Sequence, residues 1–411
     1  MKAVLSHTKN LSNENHLKIT GSKSESNRLL IVQQLFPTIS IENLSESDDT
    51  VALQEALKQT RGTVDIHHAG TAMRFLTAYY ASRPNAEVLL TGSTRMQERP
   101  IAVLVEALRA MGASIAYTQK EGCPPLHIMG KNFVTNKVSI KANVSSQYIS
   151  ALLLIGASLP QGIVIQLEGK ITSLPYLTMT LDLLNACGIS GSIEGETLNV
   201  KPQKTLPPKT MVVESDWSSA SYFYSLVALS EEASITLGKY REESHQGDAA
   251  VARYYAELGV STTYDRVAQT ITLTKTDTVE TSHFFEKDLS HTPDLAQTIA
   301  VTCLGLGIGC QLTGLHTLKI KETDRLVALQ QEIHKLGGEV EITEDSLRLA
   351  PNPKLPSDVA IDTYQDHRMA MAFAPLALKI PLTINDAEVV SKSFPGFWND
   401  LKKLGIVLRL K

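Results

Sequence analysis

Seven basic residues stand beside short polar segments that read as helix starts. Lys23 and Arg28 flank one in GSKSESNR, Arg99 lies in RMQERP, Lys321 and Arg325 in KETDR, Arg368 in DHRMAMAF and Lys392 in KSFP. A helix start presents unpaired backbone N–H groups and about half a positive charge. With Lys or Arg alongside, such an end suits a phosphate or carboxylate without any glycine-rich phosphate loop. For any single Ser, Thr or Asp at these starts, plain N-capping is the simpler reading. The Lys321/Arg325 pair, four apart on a helix, would repel, softened by Glu322 and Asp324, so a solvated face and a bound anion explain it equally well. Arg368 is the sharper case. It opens an apolar helix, where burial without an anionic partner is costly, and Asp366 is the neighbour that could serve. Arg74 lies deeper in its helix and reads as structural.

The elements that carry these residues recur. Polar starts followed by apolar, helix-length runs begin near Ser24, Thr71, Ser145, Ser218, Pro293 and His367, at intervals of 47, 74, 73, 75 and 74 residues. Each follows a strand-like run (LKIT, TVDIH, VSIKA, TMVVE, HFFEK, VAID), and Arg99, Ser173, Gln246 and Lys321 each lie 28 residues after the start of their repeat. There a second, amphipathic helix begins, as Ile101, Leu104, Val105, Leu108 and Met111 illustrate. These helices end at Gly112, Gly188, Gly259, Gly337 and Gly405, where glycine can take the left-handed cap. Strand pairs follow in four repeats. The unit is therefore strand–helix–strand–helix–strand–strand, present six times. The first helix of each is expected to be buried, and the second keeps a solvated face. The short first interval, with TVDIH directly after Gly62, removes the final hairpin of the first repeat.

Bulk properties bound the rest. A chain of 411 residues exceeds what one core usually serves. With 43% hydrophobic and 20% charged residues the balance is that of a globular protein, and a formal charge of −4 gives no general attraction to nucleic acid or to an acidic membrane. Cys123, Cys187, Cys303 and Cys310 lack metal-type spacing and read as reduced thiols of a cytoplasmic protein. The first twenty residues carry no apolar signal core, and the apolar run 149–159 is too short to span a bilayer.

The stretches GSKSESNR, AGTAMR, RMQERP, NVSSQ, TSLPY, SDWSSASYF, HQGD, HTPD, KETDR, YQDHRMAM and KSFP, in this order and along nearly the whole chain, resemble the 5-enolpyruvylshikimate 3-phosphate synthase family. The resemblance implies a two-domain inside-out α/β barrel of six βαβαββ repeats, three per domain, here with the first repeat lacking its final hairpin. It implies an N-terminal lobe over 21–214, a C-terminal lobe formed by 1–20 plus 215–411, and an active site in the interdomain cleft. The implied reaction moves the enolpyruvyl group of phosphoenolpyruvate to shikimate 3-phosphate, with no cofactor and no metal, in a monomer.

Carried over residue by residue, the resemblance gives shikimate 3-phosphate to Lys23, Ser24, Arg28, Ser145, Ser146, Gln147, Ser173, Tyr176, Asp294, Thr317 and Lys321. Phosphoenolpyruvate falls to Lys23, Gly70, Arg99, Gln147, Arg325, Arg368 and Lys392. Proton transfer falls to Asp294 and Glu322, with Lys23 stabilising charge and Lys392 sharing the methylene proton with Glu322. Three positions depart from the family pattern. His68 stands where Asn is usual, Thr317 where an Asn commonly touches the acceptor, and Phe75 where proline often follows GTAMR. The last implies reduced sensitivity to glyphosate, a donor-site competitor. A sister family that uses UDP-N-acetylglucosamine usually carries a reactive Cys in a mobile loop, and GSTRMQERP contains none. A non-catalytic scaffold would have no need of Lys23, Asp294, Glu322 and Arg368 together.

Overall fold

Five of the six repeats give rise to a four-stranded mixed sheet, and the pairing rules inside it are constant. A computed structural model describes residues 1–12, 16–142, 145–169, 174–276, 284–351 and 354–411. It divides into two compact units, Gly21–Val213 and Met1–Thr20 with Glu214–Lys411. In the second repeat the leading strand Arg61–Asp65 pairs in parallel with Glu87–Thr91, which pairs antiparallel with Leu126–Met129 and through it with Ser114–Tyr117. Four other sheets repeat this four-stranded order. The first repeat does not. Among the described residues its strand Ile39–Glu42 pairs only with Lys209–Val212, because the helix Asp48–Leu57 is followed directly by the next repeat's leading strand.

The leading strands of repeats one and four are exchanged. His16–Lys18 precedes the first-repeat helix in sequence but lies parallel to Ser234–Gly238 of repeat four. Lys209–Val212 precedes the repeat-four helix but completes the sheet of repeat one. The two places where the chain passes from one unit to the other follow from this exchange. On one side Ser215 Oγ donates to the Ile19 carbonyl at 2.8 Å and the Asp216 amide to that of Thr20 at 3.2 Å. On the other, Asn43 Nδ2 donates to the Val213 carbonyl at 2.9 Å. The sixth sheet is closed by the N-terminus: Ala3–Leu5 sits between Leu382–Ile384 and Leu408–Leu410, antiparallel to both.

In each unit the first helices of its three repeats pack on one another. Every residue of Gly70–Ala81, and every residue of Trp217–Leu229 except half-buried Ser218, is buried, as continuous apolar and small residues require. Between Trp217–Leu229 and Ala296–Leu306, paired hydroxyls one turn apart satisfy one another: Ser221 with Thr298 at 3.1 Å and Ser225 with Thr302 at 2.8 Å. Lys23–Leu35 differs from the expected apolar first helix, since it buries Glu25, Ser26, Asn27 and Arg28 along with its Leu and Ile residues. Gly112, Gly188, Gly259, Gly337 and Gly405 all take positive φ behind the second helices. The four cysteines are free and buried. Among the described residues no helix is long and apolar enough to cross a membrane.

Gly21 begins the 21–213 unit, and a Cβ there would overlap the Asn43 carbonyl oxygen and press on Val213. Backbone cannot step aside as a side-chain tip can. Gly21→Ala is expected to destabilise the 21–213 unit by about 1–3 kcal/mol, read from urea unfolding followed by circular dichroism.

Candidate active site

In the 21–213 unit the helix Lys23–Leu35 opens at Ser22, whose hydroxyl accepts from the Glu25 amide at 3.5 Å. Lys23 and Ser24 are half-buried in its first turn, and Lys23 forms no ion pair with a described residue. Arg28, one turn on, is only 2% exposed. Its Nε donates to Thr180 Oγ1 at 2.7 Å, Nη1 to the Ser24 carbonyl at 2.8 Å, and Nη2 to Ser150 Oγ at 3.1 Å and the Tyr176 carbonyl at 3.4 Å. Arg28 thus ties Ser24 to Tyr176 and spends its donors internally. Its guanidinium also lies 5.5 Å from the Phe75 ring centroid. Burial pulls its pKa down to about 10, against the opposing influence of Tyr176 and Glu25.

Arg74 is held the same way: it donates to the carbonyls of Gly70 and Pro100, both at 3.1 Å, and burial, then Arg99, lowers its pKa to about 10. The structural reading of Arg74 stands. Gly70 opens its helix, and a Cβ there would meet Arg99 Nη1 at 2.5 Å, so the glycine makes room for that guanidinium. Arg99 lies in the link between the helices Thr94–Gln97 and Ala102–Ala110, not at a helix start. Ser145 caps Ser146–Gly156, and Gln147 Nε2 donates to Thr71 Oγ1 at 3.2 Å, next to Gly70. His68 is exposed, its Nδ1 2.8 Å from Ser93 Oγ. Ser173 lies outside the described residues.

The second unit gathers Asp294, Lys321, Glu322, Arg325 and Arg368 into one network. Arg325, 2% exposed, donates through Nε to Asp366 Oδ2 at 2.6 Å, through Nη1 to Asp294 Oδ1 at 2.9 Å and through Nη2 to Glu322 Oε2 at 2.7 Å. Arg368 Nη2 reaches Asp294 Oδ2 at 3.0 Å and Nη1 the Asp294 carbonyl at 3.2 Å, while Lys321 Nζ lies 3.6 Å from Asp294 Oδ1. Burial works against both guanidinium charges. The surrounding carboxylates outweigh it, Asp366, Glu322 and Asp294 for Arg325 and chiefly Asp294 for Arg368, so both are held above the ordinary arginine range. Lys392 Nζ donates to the Gln365 carbonyl at 2.9 Å. Thr317 Oγ1 is buried with no hydrogen-bond partner among the described residues.

Two sequence expectations change. Lys321 and Arg325 do not share a helix face: Lys321 ends the 3-10 turn His316–Ile320, and Arg325 is the first residue of a helix capped by Asp324. Nor is Asp366 the ion-pair partner of Arg368. Its Oδ1 caps the Arg368 amide at 2.8 Å and its Oδ2 is taken by Arg325, so the Arg368 guanidinium turns to Asp294.

Sequence reasoning also left Asp248 unassigned, although HQGD contains it. It sits at the second-helix start of repeat four, two residues after Gln246, the counterpart of Lys321 in repeat five, and that placement was the available signal. The Ser218 hydroxyl donates to Asp248 Oδ2, and Arg368 Nη2 donates to Ser218 Oγ at 3.4 Å. Burial, then Asp294, pushes the Asp248 carboxyl up to about 7, against the pull of Arg368 and Ser218.

Comparison with known proteins gives the family and the fold. The family model EPSP synthase (3-phosphoshikimate 1-carboxyvinyltransferase) matches residues 59–401. The chain belongs to the EPSP synthase family. It is 45% identical to a 3-phosphoshikimate 1-carboxyvinyltransferase of Bacteroides fragilis over 401 residues, covering 96% of each chain. It is 35% identical to one from Haemophilus influenzae, covering 95% of this chain and 96% of the relative. The fold matches that of EPSP synthase from Acinetobacter baumannii, with a TM-score of 0.79 at 21% identity over 99% of both chains. It also matches that of the enolpyruvyl transferase NikO from Streptomyces tendae, with a TM-score of 0.75 at 15% identity over 99% of this chain and 98% of that one.

The raised Asp248 pKa makes stability depend on pH. Between the usual carboxylate range and about pH 7 the folded chain keeps a proton that the unfolded chain has lost. That contribution therefore falls as pH rises through this window. Asp248→Asn removes the group. Its urea midpoint is expected to exceed that of the parent at pH 8 and to match it near pH 4, read by the fluorescence of Trp217 and Trp398, the two tryptophans of the chain.

Proposed function

We infer that this member of the EPSP synthase family transfers the enolpyruvyl group of phosphoenolpyruvate to the 5-hydroxyl of shikimate 3-phosphate and releases phosphate. The observation that carries this reading is Asp294 itself: one carboxylate shared between Arg325 and Arg368, with Lys321 3.6 Å away. A base and the cations that would bind an anionic donor occupy one network.

Each substrate brings a phosphate and a carboxylate. One ion pair at 4 Å is worth about 4 kcal/mol at an effective dielectric of 20, so several cations must act together to hold two such anions. In this reading Arg325, Arg368, Lys392, Lys23 and Arg99 grip the donor, with Gly70 and Gln147 beside it. Ser24, Ser145, Ser146, Ser173, Tyr176, Thr317 and Lys321 hold the acceptor. Arg28 acts by fixing Ser24 and Tyr176, as its internal hydrogen bonds support.

The arginines that the donor needs are those that hold Asp294. A donor anion drawing Arg368 and Arg325 to itself would leave Asp294 less shared and more basic as the acceptor hydroxyl arrives. The hydroxyl oxygen attacks C2 of phosphoenolpyruvate and its proton passes to Asp294, while C3 gains a proton from Glu322 or Lys392. The tetrahedral adduct then breaks its C–O bond to phosphate and C3 returns the proton. Lys23 stabilises the developing charge. The chain acts as a cytoplasmic monomer, and the bulk of Phe75 beneath Arg28 supports weak inhibition by glyphosate.

Inorganic phosphate should appear when both substrates are mixed with the protein, and not when UDP-N-acetylglucosamine replaces the acceptor. The opposite pattern would assign the sister reaction, and no release from either acceptor would defeat an enzymatic reading. Asp294→Ala frees both arginines, so donor binding is expected to be retained or tightened while turnover falls about a thousandfold. Equal losses of binding and turnover would remove Asp294 from its role as base.

A further inference from the structure

Tyr364 and Gln365 are consecutive residues with left-handed backbones, φ 52° and 58°. Neither is Gly, Asn or Asp, the types that take this region readily, so something must hold them there. The Tyr364 side chain supplies the anchor. The Tyr364 hydroxyl donates to Glu332 Oε1 at 2.5 Å and lies 2.7 Å from Gln331 Oε1. Glu332 is fully buried, and its other oxygen accepts from the Asp362 amide at 3.1 Å and pairs with Lys335 at 2.9 Å. Lys335 in turn pairs with Asp362 at 2.7 Å, and Asn385 Nδ2 donates to the same carboxylate at 2.7 Å. This buried carboxylate takes no part in the chemistry described above. It lies on the helix Arg325–Lys335, two turns beyond Arg325.

The left-handed turn has two consequences for the donor groups. It aims the Gln365 carbonyl at Lys392 Nζ, 2.9 Å away. It also delivers Asp366 to the helix His367–Phe373 as a cap, with one oxygen on the Arg368 amide and the other on Arg325. A right-handed or extended Gln365 would point its carbonyl elsewhere and release Lys392.

We propose that Tyr364, anchored on buried Glu332, is a positioning residue that clamps the Tyr364–Gln365 turn and thereby sets Lys392 and the Asp366 cap for donor binding. The proposal rests on the reading of Lys392 as a donor-site group. The clamp itself is a statement about backbone and can be tested without turnover.

Tyr364→Phe keeps the ring and deletes the hydroxyl. The KM for phosphoenolpyruvate should rise about fivefold, the loss expected of one ordinary hydrogen bond, with kcat within about twofold and the KM for shikimate 3-phosphate unchanged. Combined with Lys392→Met, the Tyr364→Phe effect on donor KM should largely vanish, since both changes remove the same contact. Additive effects, or equal rises in both KM values, would overturn the proposal. A crystal structure of Tyr364→Phe gives the readout that needs no activity. The expected result is Gln365 relaxed to negative φ with Lys392 off its carbonyl. Retention of the left-handed turn and the 2.9 Å contact would overturn the clamp even if the enzymatic reading stands, whereas absence of phosphate release from the parent protein bears on the enzymatic reading alone.

Discussion

A guanidinium placed where only 2% of Arg325 is exposed must have its donors met inside the protein, and the C-terminal unit meets them with three carboxylates. They come from separate segments: Asp294 follows the strand Phe284–Asp288, Glu322 precedes Arg325's own helix, and Asp366 opens the helix of the next repeat. One side chain therefore fixes two repeats to each other and orients the carboxylate that the chemistry uses. Removing a partner from a buried set of this kind costs about 3–5 kcal/mol, because the remaining charges are left without compensation. That penalty is what keeps the arrangement in a single geometry before any substrate arrives.

The two units treat buried arginine differently. In the 21–213 unit Arg28 and Arg74 are satisfied by hydroxyls and carbonyls, and burial draws their pKa values down to about 10. Their charge persists at neutral pH with Glu25 and Asp49 near them but no direct ion pair to a carboxylate among the described residues, and Lys23 forms no ion pair with a described residue. This is a standing positive potential of the sort that collects phosphates. In the other unit each arginine is already answered by carboxylates, so an incoming anion must compete for it. Competition of that kind costs binding energy and releases a base as it does so. The second arrangement suits a group that must change its proton affinity during the reaction; the first suits a group that need only hold.

Much of the fold was legible in the sequence because the repeat is spelled in burial. Runs such as TAMRFLTAYY and SSASYFYSLVAL form helices buried on every side, and the glycines behind the second helices take the left-handed turn that ends them. The truncated first repeat was visible as a short interval. The exchange of leading strands was not, since LKIT and TMVVE look alike as strands and only tertiary pairing decides which sheet each one joins. Among site residues, identity was readable and partnership was not. Asp366 stands two residues from Arg368, yet a cap on the Arg368 amide and the pull of Arg325 leave that guanidinium to Asp294. The Tyr364–Glu332 contact joins residues 32 apart, a separation at which no local spacing rule operates.

The central claim is that Arg325 and its carboxylates act as one unit. A double-mutant cycle of Arg325→Gln and Asp366→Asn measures this directly, through urea unfolding followed by tryptophan fluorescence. Trp217 and Trp398 both lie in the 214–411 segment, so the signal reports that unit alone. A coupling of about 2 kcal/mol is predicted, with the second substitution adding little to the first. Effects that sum to within about 0.5 kcal/mol would contradict it, and would mean that the two residues are neighbours without being partners.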